Sequence, residues 1–303
     1  MKEFTVEHPG ERLDHCVATH LGCSHAAARR LVENGQVRVN GRLVAKGAHL
    51  QRGDQITLAG PLPGQVPLGA PEQSLVVLYQ DDELIALDKP PGIPSHPLRP
   101  DERDTLVNAL VARFPECALA SDDPREGGLC HRLDRDTSGV ILAARSRPAW
   151  EALRSAFQRG AVEKRYLALV AGEVGSEGTI DLPLAHDPAN RRRMIPVREP
   201  TLLPARAATT RYRPLHRANG YSFVEAITTT GRMHQVRVHL AAIGHPLVGD
   251  LLYGGPPELV DAPGHFLHAA HIRFPHPQGE QHEVAAPLPS ARRSALVRLT
   301  LYR

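Results

Sequence analysis

The chain has 303 residues, enough to bury a sizeable core, and its 42% hydrophobic and 23% charged residues exclude a disordered or fibrous chain. A formal net charge of +3 is only mildly basic and does not by itself announce a nucleic-acid partner. Cys16, Cys23, Cys117 and Cys130 form no Cys-x-x-Cys pair and no disulfide framework, no apolar run is long enough to span a membrane, and the start carries no apolar signal region. A soluble cytoplasmic protein with reduced thiols and no membrane contact is the expectation.

The pattern from Glu11 to Leu21, with apolar or small residues at 13, 16, 17 and 21, predicts a helix ended by Gly22. Ser24 is suited to cap a second helix, His25 to Asn34, with Gly35 as its C′ residue. Val37–Val39, Asn40-Gly41 and Arg42–Val44 predict a hairpin with a type I′ turn, and Gln55–Leu58 a further strand. Four prolines and three glycines between 60 and 74 preclude regular structure. This predicts a small domain over 1–60, a linker over 61–74 and a second domain over 75–303.

In the second domain, Leu75–Tyr79 and Leu84–Leu87 read as strands flanking a turn at Asp81-Asp82, followed by the stiff loop Asp88-Lys89-Pro90-Pro91-Gly92. Asp104 is placed to cap a helix from Thr105 to Phe114. Pro148 sits in the first turn of a helix ending near Arg159, and Lys164–Ala171 reads as a buried strand. Strands are expected near 205–214 and 221–229, and a helix over 233–243 stopped by Gly244 and Pro246.

The densest chemistry lies at His131-Arg132-Leu133-Asp134-Arg135-Asp136-Thr137-Ser138-Gly139, directly before the apolar strand Val140–Ala144. A carboxylate where the chain enters a core needs a cationic partner, so Asp134 is either part of a local surface ion pair or bound to a cation from elsewhere. Between 191 and 217 eight arginines face one acid, Glu199, which fits a solvated loop or a phosphate-contacting arm equally well. His265, His268, His271, His276 and His282 lack an accompanying His-Glu-x-x-His motif or cysteine pair, so structural roles are expected and no metal. Cys130-His131 as nucleophile and base is a weak alternative, since adjacent residues rarely face each other.

The stretch His131–Gly139 resembles the signature of the RluA-type pseudouridine synthases, which isomerise uridine in structured RNA. Lys164-x-Tyr166 resembles the second motif of that family. Gly231–Pro246 resembles the third, with Met233 where Thr or Ser is common. Val248-Gly-Asp250 and Tyr253-Gly254 extend the likeness, and Asn190–Met194 resembles a basic loop of the family. The first sixty residues resemble an S4 RNA-binding domain through Arg12-Leu13-Asp14, Ser24, Gly35–Gly41 and Gly53-Asp54.

The resemblance implies an α+β fold: a pseudouridine-synthase-like mixed, largely antiparallel sheet with flanking helices, preceded by a small S4-like domain. It implies cleavage of the N1–C1′ bond, rotation of the uracil and rejoining through C5, without cofactor or metal. Asp134 would be the catalytic carboxylate, attacking C1′ or C6 or stabilising the detached sugar. Arg237 would pair with Asp134, Tyr166 would stack on the base and take the C5 proton, and Arg132 would enter the gap left by the extruded nucleotide. Arg29 and Arg30, with Arg38 and Arg42, and the run Arg191-Arg192-Arg193 would contact RNA backbone. The expected partner is RNA, with 23S rRNA favoured and tRNA possible, bound by a monomer. The rival readings are a catalytically inert ribosome-assembly factor and a metal hydrolase using the C-terminal histidines.

Overall fold

The N-terminal sheet is built around a strand that both of its neighbours flank. β1 (Lys2–Thr5), β2 (Val37–Val39) and β3 (Gln55–Leu58) are antiparallel in the order β1-β3-β2. This computed structural model describes residues 2–58 except 24 and 34, then 67, 69–98, 102–190, 192–198, 203–257, 259 and 264–301; the side chains of 2, 26, 27 and 30 are outside that set. The helices α1 (Leu13–Leu21) and α2 (His25–Glu33) cover the sheet, closing a core of Leu13, Val17, Ala28, Leu31, Val37, Ile56 and Leu58. Gly22 ends α1 in the left-handed region, φ +62°, where glycine carries no Cβ penalty. The expected cap Ser24 lies outside the described residues.

The hairpin expected over 37–44 forms only in part. Asn40 and Gly41 have φ +50° and +75°, as a type I′ turn requires, but beyond the bridge from Val39 to Arg42 the chain leaves the sheet. β3 takes the vacated side of β2. The Asn40 side chain recruits it, accepting from the Gln55 N–H at 2.9 Å and donating to Asp54 at 2.8 Å. β1, with its charged tetrapeptide Lys-Glu-Phe-Thr, carried no strand signal strong enough to predict it. The linker also ends earlier than 74. Ala70 donates its N–H to Asn108 O, and the Gln73 side-chain amide donates to Arg103 O, so 69–73 already pack against the next helix and the turn before it.

The second part of the chain is a nine-stranded sheet. Its strands are β4 (Val76–Gln80), β5 (Leu84–Lys89), β6 (Ser138–Ala144), β7 (Glu163–Ala171), β8 (Gly178–Asp181), β11 (Thr209–Ala218), β12 (Tyr221–Thr228), β13 (Leu267–Pro275) and β14 (Gln281–Ala285). β9 (Leu184–His186) and β10 (Met194–Pro196) form a separate hairpin. The helices are α3 (Leu106–Arg113), α4 (Arg147–Gln158), α5 (Gln235–Ala242) and α6 (Ser290–Arg298). The order is β4-β5-β6-β13-β7-β12-β11-β8, with β14 beside β13, and every pairing is antiparallel except β6 with β13. A mixed, largely antiparallel sheet with flanking helices is therefore the fold.

Alternation along the strands loads both faces. Ile85, Leu87 and Ile141 pack with Leu106 and Leu110 of α3 and with Val236 and Leu240 of α5. Leu84, Ala86 and Leu142 pack with Trp150 and Leu153 of α4 on the opposite face, and α6 covers Leu169 and Phe223. The cap of α3 is Thr105, not Asp104: Asn108 stands three residues on, and its side-chain oxygen accepts from the Thr105 N–H and hydroxyl. Ser146 caps α4 and Pro148 occupies its first turn. Gly139 has φ +110°, and a Cβ there would stand 2.2 Å from Ala269 O, so only glycine permits the parallel contact between β6 and β13. No helix among the described residues is long and apolar enough to cross a membrane.

Candidate active site

The loop carrying Asp134 is fastened on both flanks by buried groups. Lys89, fully buried at the end of β5, donates to the carbonyls of Pro90, Ile93 and Arg135, each at 2.8 Å. Burial drives its ammonium down to about 7. Ser95 donates to Leu133 O and accepts from Leu133 N–H, and Arg135 and Gly92 exchange two further bonds. The stiff Pro-Pro-Gly loop is thus a template for the residues on either side of Asp134. On the far flank, buried Arg292 of α6 donates to the carbonyls of Asp136, Leu267 and His265 and to the Ser138 hydroxyl. These cations hold carbonyl dipoles and leave Asp134 itself free for another partner.

That partner comes from α5. Arg237 donates from Nη1 to Asp134 at 2.9 Å, and from Nε and Nη2 to the two oxygens of Asp250 at 2.7 and 2.9 Å. Asp250 is buried, whereas the Asp134 side chain remains 20% exposed at the cleft. Burial presses the Asp134 carboxyl upward, but the facing charges of His234 and Arg237 outweigh it and hold it below its ordinary range. Burial also pushes His234 down, so at neutral pH the permanent counter-charge is Arg237. The same two carboxylates raise the Arg237 guanidinium despite its burial.

His234 occupies the N-cap of α5 in the left-handed region, φ +55°, and lies 3.8 Å from Asp134 through Nε2. Its Nδ1 is 2.8 Å from the Tyr253 hydroxyl, which also accepts from the Met194 N–H. Tyr166, on β7, borders the same cleft, a cavity of about 320 Å³, together with Asp134, Arg132 and Arg237. Its hydroxyl has no hydrogen-bond partner among the described residues. Burial and the Asp134 charge raise its phenol well above the ordinary value, so it keeps its proton. Arg132 is exposed at the rim, also without a bonded partner among the described residues.

The structure thus brings together Asp134, Tyr166, Arg237 and Arg132, four of the expected site residues. Arg192 and Arg193 do not line the cleft but are exposed nearby on the β9–β10 hairpin, Arg193 lying over the Tyr253 ring that also packs on Arg237; Arg191 lies outside the described residues. Arg29 is exposed on α2, its Nε 3.8 Å from Asp14, and the Arg30 side chain lies outside the described set. The rest of the basic stretch serves the protein itself in part: Arg213 pairs with Glu225 on the adjacent strand β12, and Arg211 reaches across β12 to Glu163 on β7. Sequence reasoning assigned no role to Asp250 or His234. Both lie within quoted motifs, and a buried Arg237 needing more than one carboxylate was the available signal. The C-terminal histidines are tied locally: His265 to Thr137, His268 to Ser138 and Ala286 O, His276 to Asp81. Cys130 is fully buried, which raises its thiol and removes it as a nucleophile.

A family profile describing RNA pseudouridylate synthases matches residues 83–242, and an S4 domain profile matches residues 11–56. The chain is 36% identical to an uncharacterised RNA pseudouridine synthase of Bacillus subtilis, over 93% of this chain and 92% of that one. It is 32% identical to ribosomal large subunit pseudouridine synthase D of Pseudomonas aeruginosa, over 95% and 91%. Among solved structures, human RNA pseudouridylate synthase domain containing 1 superposes with a TM-score of 0.57 at 29% identity, covering 71% of this chain and 84% of that one. The chain therefore belongs to the RNA pseudouridylate synthase family, of the RluA type with an N-terminal S4 domain, and is an RNA uridine isomerase.

Proposed function

We propose that this enzyme converts uridine in 23S rRNA to pseudouridine, working as a cytoplasmic monomer, with Asp134 as its catalytic carboxylate. The observation that carries this reading is the ion pair at the cleft, where Arg237 holds an ionised, partly exposed Asp134 beside Tyr166. The relatives named for the ribosomal large subunit support the choice of RNA. Substrate binding extrudes the target nucleotide, and Arg132 at the rim is placed to fill the gap. Asp134 then acts as nucleophile, at C1′ or at C6, or stabilises the detached sugar. The N1–C1′ bond breaks, the uracil turns, C1′ bonds to C5, the C5 proton leaves and N1 ends protonated, with no net redox change. Arg237 keeps Asp134 charged and aimed. Tyr166 stacks on the base, and its firmly held phenol proton favours this over the proton-accepting role.

Single-turnover conversion of a 23S rRNA transcript tests the reading. Asp134→Asn should abolish pseudouridine formation while RNA affinity stays within a few-fold. Turnover near the wild-type rate would remove Asp134 from the chemistry. Mapping pseudouridine in RNA from cells lacking the protein identifies the target, and an unchanged 23S map would refute the choice of RNA.

A further inference from the structure

The cleft is electrically lopsided. One end carries Asp134 with its partner Arg237; the other is walled by Arg154 of α4, Lys164 of β7, Arg232 before α5, and His131. Lys164 is 6% exposed, yet among the described residues its ammonium makes one hydrogen bond, to Thr230 O at 2.7 Å, and lies over the Phe157 ring at 5.8 Å. Arg154 donates from Nη1 to Cys130 O, and its Nε is buried with no bonded partner among the described residues. Arg232 uses Nε on Ala207 O and keeps both terminal nitrogens without a bonded partner among the described residues. No carboxylate is ion-paired with any of the three among the described residues; Glu126, the acid that Arg154 senses, is not bonded to it. His131 Nε2 accepts from the Leu142 N–H, which leaves its proton on Nδ1, and the neighbouring Lys164 and Arg154 add to burial in keeping it neutral. Burial and Arg232 press the Lys164 ammonium down to about 8.

Lys164 is buried, the Arg154 Nε is buried without a bonded partner among the described residues, and half-exposed Arg232 closes the outer side; uncompensated positive charge at such depth is costly, so an anion completes a site built this way. The structure assigns to the Arg154–Lys164–Arg232 end of the cleft a phosphate subsite that grips a backbone phosphate of the target uridine nucleotide. This rests on the reading of Asp134 and Tyr166 as the end that takes the sugar and base. The cleft volume falls within the range of about 300–1,000 Å³ typical of small-ligand sites, enough for one nucleotide to span both ends. The negative Asp134 at one end and the cations at the other fix which way round the nucleotide lies. Unlike the exposed hairpin arginines, these groups line the cleft, Lys164 buried and Arg154 and Arg232 half-buried, and they act on one phosphate only after the nucleotide has left its stack.

The test measures binding of uridine, uridine 5′- and 3′-monophosphate and inorganic phosphate to the full-length protein by calorimetry and phosphorus line broadening. One of the two monophosphates should bind at least about tenfold tighter than uridine, the size of one added charge-assisted hydrogen bond. Lys164→Met should erase the difference. Arg232→Gln, at a half-exposed position, should reduce it and serves if the buried variant fails to fold. Both should raise the RNA concentration for half-maximal single-turnover conversion while leaving the saturated rate far closer to wild type than Asp134→Asn does. Monophosphates binding no better than uridine, whether all bind or none do, overturn the subsite. Inorganic phosphate binding more tightly than either nucleotide overturns its assignment to the target nucleotide. A wild-type protein that prefers monophosphates yet forms no pseudouridine would sink the proposed function and leave the subsite standing.

Discussion

Arg237 commits three nitrogen donors to two carboxylates, which makes it the side chain on which the charge balance of the cleft turns and, in the proposed mechanism, the one that keeps Asp134 ready for chemistry. Arg237→Met strands Asp134 and the buried Asp250 together. It should lose most activity and cost about 3–5 kcal/mol of stability, the usual range for breaking a buried pair. Arg237→Lys keeps the charge but loses the planar fork, so it should recover stability better than rate. A melting temperature unchanged in Arg237→Met would mean that the pair is solvated. The buried histidines govern acid stability. His265 and His268 are pushed down by burial to about 3 and about 4, from an unfolded value near 6.5. Below that value the unfolded chain binds protons the folded chain refuses, so their stabilisation is complete above about pH 6.5 and drains away as the pH falls towards 4. Each contributes up to about 1.4 kcal/mol per pH unit within that window. Denaturant titrations at pH 7, 5.5 and 4.5 should show a shallower loss for His268→Gln, by about one proton; parallel losses would contradict the burial argument. Asp134, Tyr166 and Arg237 were legible because they fall in motifs of distinctive order. Asp250 was not, because a charge balance of three groups separated by 103 and 13 positions has no local signature.

At the scale of elements, legibility followed burial. β6 is buried at every residue and read directly from its apolar run, and α4 was announced by Pro148 in its first turn. β8, β9 and β10 are three or four residues long, too short for periodicity to register. α6 escaped notice because its buried face is anchored by an arginine, Arg292, which a hydrophobic pattern discounts. The basic stretch illustrates how composition misleads. Read as a unit it fitted a solvated loop or a phosphate-contacting arm equally well, whereas folding sends Arg211 and Arg213 of β11 into ion pairs with Glu163 of β7 and Glu225 of β12. Arg192 and Arg193 remain exposed in the β9–β10 connection, Arg193 only loosely near Asp187 at 3.9 Å and over the Tyr253 ring at 5.8 Å. Tyr253 packs in turn against Arg237, so the hairpin sits close to the cleft. Replacing Arg191, Arg192 and Arg193 with alanine should flatten the slope of log affinity against log salt by about two to three units. Saturated single-turnover rates should change much less than in Asp134→Asn. Parallel salt lines for wild type and the triple variant would mean that these arginines do not meet RNA backbone.

At the scale of the molecule, we propose that the chain divides near residue 60, with 69–73 of the expected 61–74 linker belonging to the second unit. Among the described residues, β1, β2 and β3 pair only with one another, and their core of Val6, Leu13, Val17, Ile56 and their neighbours is separate from the clusters that fill the large sheet. All nine strands of the large sheet lie beyond residue 75. A fragment lacking 1–60 therefore keeps every ladder of that sheet, and it retains 69–73, whose bonds to Asn108 and Arg103 steady α3. It should fold cooperatively and isomerise uridine in a short stem-loop at a rate near that of the full chain. It should bind a long rRNA transcript more weakly, since Arg29 and the other S4 cations are gone, and its salt dependence should be correspondingly flatter. A cut at residue 75 instead removes the packed 69–73 segment and should lower the melting temperature relative to the cut at 60. Comparison of the two truncations by thermal unfolding and by stem-loop turnover decides the matter. If the fragment beginning at 61 is unfolded or aggregates, the S4 domain is part of the catalytic fold and the independence argued from the separate cores is wrong.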